Sequence, residues 1–156
     1  MEKFSILEVV EQAVQTEKTG YKFYTSMAEK FKENSDLAEL FALLAEKELN
    51  HEKVFTELKS LIGDQEPEGW DEASLYLRAM VESEFFLGSN KSLSSIQNIS
   101  SIREAVDFAI AFEKETLLYF IGLKDAVQQK DIVKSIIDEE KSHIRWLAAL
   151  KMALPK

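Results

Sequence analysis

Two four-residue stretches, Glu48–His51 (Glu-Leu-Asn-His) and Glu140–His143 (Glu-Lys-Ser-His), carry the most information about the fold of this chain. Each stretch places a carboxylate and an imidazole three residues apart, and residues at that spacing lie on the same face of an α-helix. The chain has only two histidines, and both belong to these stretches. The repeated Glu-x-x-His spacing therefore predicts two helices that present metal ligands.

Two further glutamates, Glu17 and Glu113, lie one predicted helix upstream of the two stretches. A set of Glu, Glu-x-x-His, Glu and Glu-x-x-His on four helices is the known ligand pattern of dinuclear metal sites in four-helix bundles. A weak internal repeat agrees with it, because the segment 17–24 resembles 113–120 and the two Glu-x-x-His stretches resemble each other. We therefore predict two similar helical hairpins that face each other, with one metal ion for each half.

The spacing of apolar residues predicts an all-α fold. Apolar positions recur every three and four residues, which is typical of amphipathic helices, over about 5–32, 36–61, 101–127 and 131–152. In the first helix Val14, Tyr21 and Tyr24 belong to the apolar stripe, and Gly63 is predicted to cap the second helix at its C-terminus. About forty residues separate the second helix from the third, and 71–87 have a helical pattern of their own. We predict a four-helix bundle with a long crossover that carries a short helix, as expected when the second and third long helices run parallel.

Composition limits the possible classes of protein. The chain has 156 residues, 46% of them hydrophobic and 30% charged, with five Gly and two Pro, which suits a single helical domain over 1–156. It has no cysteine, so a disulfide framework, an iron–sulfur cluster and a cysteine-ligated zinc site are excluded. The net charge of −9 argues against nucleic acid as a partner. The start of the chain lacks the features of a signal peptide and no apolar run is long enough to cross a membrane, so we expect no membrane association and a cytoplasmic protein.

The positions of the six residues on their helices argue for a metal site. Each one interrupts an apolar stripe, where a hydrophobic residue is expected. Four carboxylates that share one core would repel each other and lose hydration, at a cost of several kcal/mol for each unpaired ion. Two divalent cations would balance the four charges, and mixed carboxylate and imidazole ligation suits iron, manganese or zinc better than calcium or magnesium. We predict two metal ions, with iron as the first choice and manganese or zinc as alternatives, held by Glu17, Glu48, His51, Glu113, Glu140 and His143.

A single Glu-x-x-His on a helix would be weak support, because helices are rich in glutamate and the pair could face solvent. Two such pairs, each with a glutamate in register on a separate helix, are much harder to obtain by chance. Tyr24 lies seven residues after Glu17 on the same face, where it could donate a hydrogen bond to a ligand carboxylate or serve only in core packing. Trp70 and Trp146 are interpreted as structural. Other acidic residues lie off the stripes and are predicted to be surface charge: Glu46, Glu52, Glu115 and Glu139.

Four segments of the chain together resemble the rubrerythrin group of the ferritin-like superfamily, namely 17–24, 48–55, 113–120 and 140–145. The resemblance covers nearly the whole chain. It implies a di-iron centre bridged by Glu48 and Glu140, with Glu17 and Glu113 as terminal ligands and one histidine on each iron. Members of this group react with hydrogen peroxide or dioxygen by means of the reduced iron pair, so the resemblance implies an oxidoreductase.

The chain departs from the rubrerythrin pattern in two respects. Rubrerythrins proper carry a rubredoxin domain whose four cysteines bind an electron-transfer iron, and this chain has no cysteine. A separate electron-donor protein is therefore expected. Rubrerythrins also usually place an additional carboxylate three residues after the third-helix glutamate, where this chain has Thr116. That difference weakens the assignment as a peroxidase and makes the ligand set similar to the six residues of bacterioferritin-like proteins.

Three functions remain open from the sequence. The first is a di-iron enzyme that reduces hydrogen peroxide or dioxygen at its metal pair. The second is a ferroxidase or iron-storage protein, and the third is a binding module that metal stabilises but that turns over little. We also expect a homodimer, since two-fold dimers are common. Its contact is predicted in the crossover segment, at Trp70, Tyr76, Phe85 and Phe86.

Overall fold

The computed structural model describes residues 5–63, 66–82 and 96–155, and in these residues the regular structure is helical, with no strand. Each long helix begins and ends within two residues of its predicted bounds, so the all-α fold is confirmed. None of the helices in the described residues combines the length and the apolar composition needed to cross a bilayer. The helices are α1 (Ile6–Lys30), α2 (Ser35–Leu61), α3 (Trp70–Val81), α4 (Ile102–Ala126) and α5 (Lys130–Ala153).

Side-chain caps fix the beginnings of three of the long helices. Ser5 and Glu8 form a reciprocal capping box at the start of α1, in which each side chain accepts a hydrogen bond from the other residue's backbone N–H. Asn34 accepts from the backbone of the first turn of α2, and Ser101 does so for α4. These caps satisfy N–H groups that have no partner inside the helix. They set where each helix starts and therefore which face carries the candidate ligands.

The long helices pack as two hairpins. The most extensive packing joins α1 to α2 and α4 to α5, and the two hairpins meet through α1 against α4 and α2 against α5. This is the arrangement that the internal repeat predicts. It brings one upstream glutamate and one Glu-x-x-His stretch from each hairpin towards a common centre.

The connection after α2 differs in two details from the prediction. The C-cap residue of α2 is Ile62, whose backbone is extended. Gly63 does not adopt a left-handed conformation, so the predicted glycine cap is wrong. The short crossover helix α3 begins after Gly69, whose φ of 76° is in the left-handed region that favours glycine. It ends at Val81, and residues 83–95, on which the rest of the predicted helix falls, lie outside the described residues.

The helix α3 packs closely on α4. A side chain on Gly122 of α4 would bring its Cβ to 2.5 Å from the ring of Tyr76, so glycine is what permits this approach. Trp70 is 2% exposed and packs in the core, which agrees with a structural role and leaves little of its surface for the predicted dimer contact. Tyr76 is 44% exposed, and its hydroxyl donates to the backbone of Leu118. Phe85 and Phe86 lie outside the described residues.

The apolar core consists of two clusters, and each of the four long helices contributes to both. Along α1, residues from Ile6 to Val14 belong to one cluster and Phe23 to Met27 belong to the other. Glu17 lies between them, and the same interruption occurs in α2, α4 and α5 at the other candidate ligands. Tyr21 was predicted in the stripe, but it is 38% exposed and Phe23 is buried instead. A layer of charged side chains therefore divides the core.

Candidate metal centre

The structure brings all six predicted ligands into this layer, and none of them is more than 1% exposed. They form two groups of four. One group is Glu17, Glu48, His51 and Glu140, and the other is Glu48, Glu113, Glu140 and His143. Glu48 and Glu140 belong to both groups, which is the arrangement that two bridging carboxylates require.

The spacing of the donor atoms fits two adjacent metal ions. Within each group, one nitrogen or oxygen atom from every residue lies within 4.8 Å of those from the others. Ligand bonds of about 2.0–2.2 Å allow two donors on one ion to be separated by at most roughly 4.4 Å. Small side-chain movements would therefore suffice for coordination.

The hydrogen-bonding state of the layer also fits a metal. Twelve buried side-chain nitrogen or oxygen atoms in the described residues lack a hydrogen-bond partner, and ten of them belong to the six candidate ligands. Buried polar groups in native proteins are nearly always satisfied, so such a concentration of unsatisfied atoms needs an explanation. Two cations coordinated by these atoms would supply it, and would also balance the four carboxylates.

Both histidines direct the same ring nitrogen towards the carboxylates. His51 Nδ1 lies 3.0 Å from Glu140 Oε1 and 3.7 Å from Glu17 Oε1. His143 Nδ1 lies 3.6 Å from Glu113 Oε1 and 3.7 Å from Glu140 Oε2. The two imidazole rings stack with 5.8 Å between their centroids. One imidazole nitrogen is thus available to each of the two groups.

Without metal, protons carry the compensating charge. Burial lowers the pKa of His51, but the charge of Glu17 and the oxygens of Glu140 outweigh it and raise that pKa to about 11. Burial also lowers the pKa of His143, but the neighbouring Glu113 and Glu140 outweigh this effect and raise that pKa to about 10. Burial raises the pKa of Glu17 to about 7, although His51 acts in the opposite direction. Both imidazoles are therefore cationic at neutral pH in the metal-free protein.

The pKa values of Glu113 and Glu140 shift in opposite directions. Burial, and then the charge of Glu140, raise the pKa of Glu113 well above its usual range. Burial also opposes ionisation of Glu140, but the close approach of Glu113 and of both histidines holds its pKa below the usual range. In the metal-free protein Glu113 therefore holds a proton and Glu140 is ionised.

Tyr24 takes the first of its two predicted roles while also packing in the core. Its hydroxyl donates to Glu113 Oε1 at 2.5 Å, and its ring packs edge-on against Phe41. Burial, and then the contact with the Glu113 carboxyl group, raise the pKa of Tyr24, so the phenol stays protonated and can donate. The tyrosine thus orients one candidate ligand.

Glu139 was predicted to be surface charge; it does lie half exposed at the surface, but it also contacts a candidate ligand. Its Oε2 lies 2.6 Å from His51 Nε2, although its side chain remains 45% exposed. A carboxylate on the outer nitrogen leaves Nδ1 of His51 as the free donor atom towards the metal position. The apolar stripe could not reveal this contact, because position 139 lies beside the stripe and reaches a histidine on a different helix. By contrast, Glu46 is exposed as predicted.

Two other residues of the layer were not assigned to the site from the sequence. The Trp146 ring lies 5.5 Å from that of His143, so this tryptophan packs against a candidate ligand. Thr116 is 1% exposed, and its hydroxyl lacks a partner among the described residues. The only sequence signal for Trp146 was its position one helical turn after His143.

Gly20 provides space for a candidate ligand. A Cβ at this position would lie 3.1 Å from the carboxylate of Glu48 and 3.0 Å from the ring of Phe112. Any larger residue would press on the carboxylate that both groups share. No pattern in the sequence singles out this glycine, since it lies inside a helix with no turn nearby.

Gly20→Ala should weaken metal binding more than it affects folding. The added methyl group displaces the Glu48 carboxylate. Alanine has a higher helix propensity than glycine, which adds about 1 kcal/mol to the free energy of unfolding and offsets part of the cost of crowding. Titration with Zn²⁺ should show a clearly larger dissociation constant, and the urea midpoint of the metal-free protein should change little. Gly63→Ala is the matched control, because a Cβ there meets nothing within 4 Å. Equal metal binding by the two variants would contradict the proposed role of Gly20.

Comparison with known proteins agrees with this geometry. The Rubrerythrin family matches residues 8–151. A crystal structure from Thermotoga maritima, described as a ferritin-like diiron-carboxylate protein, superposes with a TM-score of 0.70 at 25% sequence identity, and the match covers 98% of each chain. No curated protein matches the chain. The family match spans nearly the whole sequence and includes all six candidate ligands, so the chain belongs to the rubrerythrin family.

Proposed function

We propose that this protein is a di-iron oxidoreductase that reduces hydrogen peroxide or dioxygen with electrons from a separate donor protein. One observation carries the proposal: two groups of buried donor atoms share Glu48 and Glu140 and are otherwise unsatisfied among the described residues. The similarity to a ferritin-like diiron-carboxylate protein supports iron as the metal.

Each residue has a distinct task in this proposal. Glu48 and Glu140 belong to both groups and would hold both ions, Glu17 and His51 would complete one position, and Glu113 and His143 would complete the other. Four carboxylates balance the charge of two divalent ions, so the filled layer is neutral. The apolar clusters on both sides exclude bulk water from it. When bound, the iron pair would supply the two electrons needed to reduce one molecule of peroxide to water.

The side chains also handle protons. In the metal-free state Glu113 and both histidines hold protons, and ligation requires those protons to leave. Glu139 is half exposed and contacts His51, so it connects the buried layer to solvent. A proton can pass along this contact without opening the bundle.

The second candidate function is iron oxidation and sequestration. Thr116 favours it, because this position lacks the additional carboxylate usual in rubrerythrins and leaves the six-residue ligand set. A storage protein needs a large closed assembly, whereas an oxidoreductase does not. The particle mass in solution separates the two, since a cage of many subunits would support storage and a small oligomer would support the enzyme. The homodimer and the cytoplasmic location stay predictions.

The proposal is tested by loading the protein with ferrous iron anaerobically and mixing it with hydrogen peroxide. We expect about two irons per chain and rapid growth of ferric absorbance, since two complete ligand groups are present. Glu48→Ala should lose most of the iron because it removes an oxygen ligand from both positions. Glu46→Ala is the matched control on the same helix, as Glu46 is exposed and belongs to neither group.

The outcomes separate the alternatives. Near-zero iron in the wild-type protein would overturn the di-iron assignment. Two irons per chain without a fast reaction with peroxide or dioxygen would support the dinuclear site but contradict the proposed oxidoreductase activity. Fast iron oxidation followed by uptake of many irons per chain would favour the storage function instead.

A further inference from the structure

The two halves of the metal centre are not chemically equivalent. In the internal repeat, position 139 of α5 corresponds to position 47 of α2, because each directly precedes the glutamate of its Glu-x-x-His stretch. Glu139 contacts Nε2 of His51 at 2.6 Å. The corresponding residue is Lys47, which has no carboxylate to offer to His143. His143 Nε2 is buried and lacks a hydrogen-bond partner among the described residues.

A second difference affects the terminal carboxylates. Tyr24 donates to Glu113, whereas the repeat places Phe120 at the position that corresponds to Tyr24. Accordingly, both oxygens of Glu17 lack a donor in the described part of the chain. One terminal carboxylate thus shares electron density with a phenol, and the other does not.

The first of these differences bears directly on which position binds metal more tightly. A carboxylate on the outer nitrogen makes an imidazole more basic and fixes its tautomer, and removing such a partner typically lowers metal affinity about 10- to 100-fold. The donor on Glu113 orients that carboxylate, so this second difference distinguishes the two halves without setting which of them binds metal more tightly. Near His143 the neighbouring ring is Trp146, and an indole can donate but cannot accept a hydrogen bond. The position of Glu17 and His51 therefore has the more basic and better oriented imidazole.

We propose that the two metal positions fill in order, that the Glu17/His51 position fills first, and that Glu139 is the positioning residue that sets this order. This inference rests on the proposed dinuclear site and adds an inequality between its two halves. Because the bridges are shared, the first ion also draws Glu48 and Glu140 into place for the second.

The test is a titration of the metal-free protein with Zn²⁺, followed by NMR of the ¹⁵N-labelled histidine rings. Only two histidines are present, so each position has its own reporter. Zn²⁺ does not change oxidation state, and the measurement is independent of turnover. We expect the His51 Nδ1 resonance to shift during the first equivalent and the His143 resonance during the second, with His143→Gln used for assignment.

Two variants test the role of Glu139. Glu139→Gln keeps an amide oxygen near His51 but removes the charge, so the first dissociation constant should rise by about 10-fold or more and the two histidines should shift together. Lys47→Glu places a carboxylate at the corresponding position of α2 and should strengthen the second step. Glu46→Gln is the control next to Lys47 on the exposed surface, and it should leave both steps unchanged.

The results distinguish this inference from the proposed function. If both histidines shift in parallel in the wild-type protein, or if His143 shifts first, the order of filling is wrong and the dinuclear site stands. If Glu139→Gln leaves the first step unchanged, Glu139 does not set the order. If neither histidine shifts with Zn²⁺, the dinuclear site itself is wrong and the inference falls with it.

Discussion

The metal-free protein should lose stability as the pH rises from about 5 to 9, whereas the metal-loaded protein should gain stability over the same range. The first effect follows from the protons that the buried layer holds. The pKa values of His51 and His143 rise from 6.5 to about 11 and about 10 in the folded protein. That of Glu17 rises from 4.5 to about 7.

The sign follows from the number of bound protons. Above pH 4.5 the folded protein holds more protons than the unfolded chain, so unfolding releases protons and becomes easier as the pH rises. The contribution of each histidine is complete below 6.5 and is lost as the pH rises towards its folded pKa. Each such proton changes the free energy of unfolding by about 1.4 kcal/mol per pH unit. Glu140, whose pKa is lowered, acts oppositely, but only below its usual value of 4.5.

Metal reverses the trend because it takes the place of those protons. Ligation needs neutral imidazoles and ionised carboxylates, so binding releases protons and becomes tighter at higher pH. Free metal at a thousand times its dissociation constant would add about 4 kcal/mol for each site to the free energy of unfolding. The increase in the free energy of unfolding that metal provides should therefore be small at about pH 5 and large at about pH 8.

Urea unfolding at several pH values, with EDTA or with Zn²⁺, measures both effects. In the metal-free protein, His143→Gln should reduce the decrease in the free energy of unfolding with rising pH, because one of the two histidine protons is removed. A free energy of unfolding that rises with pH in EDTA would show that the histidines are not cationic in the metal-free fold. The buried charges would then need a different partner.

The helices and the placement of the six candidate ligands in one buried layer could be predicted from the sequence because both depend on local spacing. A Glu-x-x-His pair on an apolar stripe specifies its own face, and the stripe specifies which way that face points. The same reasoning failed for Tyr21, because residues two apart lie on different sides of a helix and it is Phe23 that packs against α4. Local spacing predicts a face of a helix to within about one residue.

Contacts between helices could not be predicted in this way. Glu139 reaches His51 on another helix, and Gly20 is needed because the Glu48 carboxylate approaches from α2. Both depend on the distance between helix axes, which no single helix encodes. The role of Tyr24 stayed open for the same reason, as its partner Glu113 lies 89 residues away in the chain. The residues around the ligands were therefore harder to assign than the ligands themselves.

Glu48→Leu should stabilise the metal-free protein and abolish its stabilisation by metal. Glu48 is fully buried, and neither of its oxygens has a hydrogen-bond partner among the described residues. Replacing a whole buried ion pair by apolar residues of similar size often raises the free energy of unfolding by about 1–4 kcal/mol, and a gain of that kind is expected here because removing Glu48 leaves no hydrogen-bonded partner behind. The leucine would also join the two apolar clusters that the charged layer separates.

The measurement is urea unfolding of both proteins in EDTA and in Zn²⁺, with Glu46→Leu as the control. That control makes the same substitution at an exposed position of α2 and should change the free energy of unfolding by no more than about 0.5 kcal/mol. If Glu48→Leu were instead less stable in EDTA, the Glu48 carboxylate would have to be stabilised by the cationic histidines even without metal. The expected gain in stability, together with the lost response to Zn²⁺, would show that the charged layer costs folding energy and is held in the core for the metal that it binds.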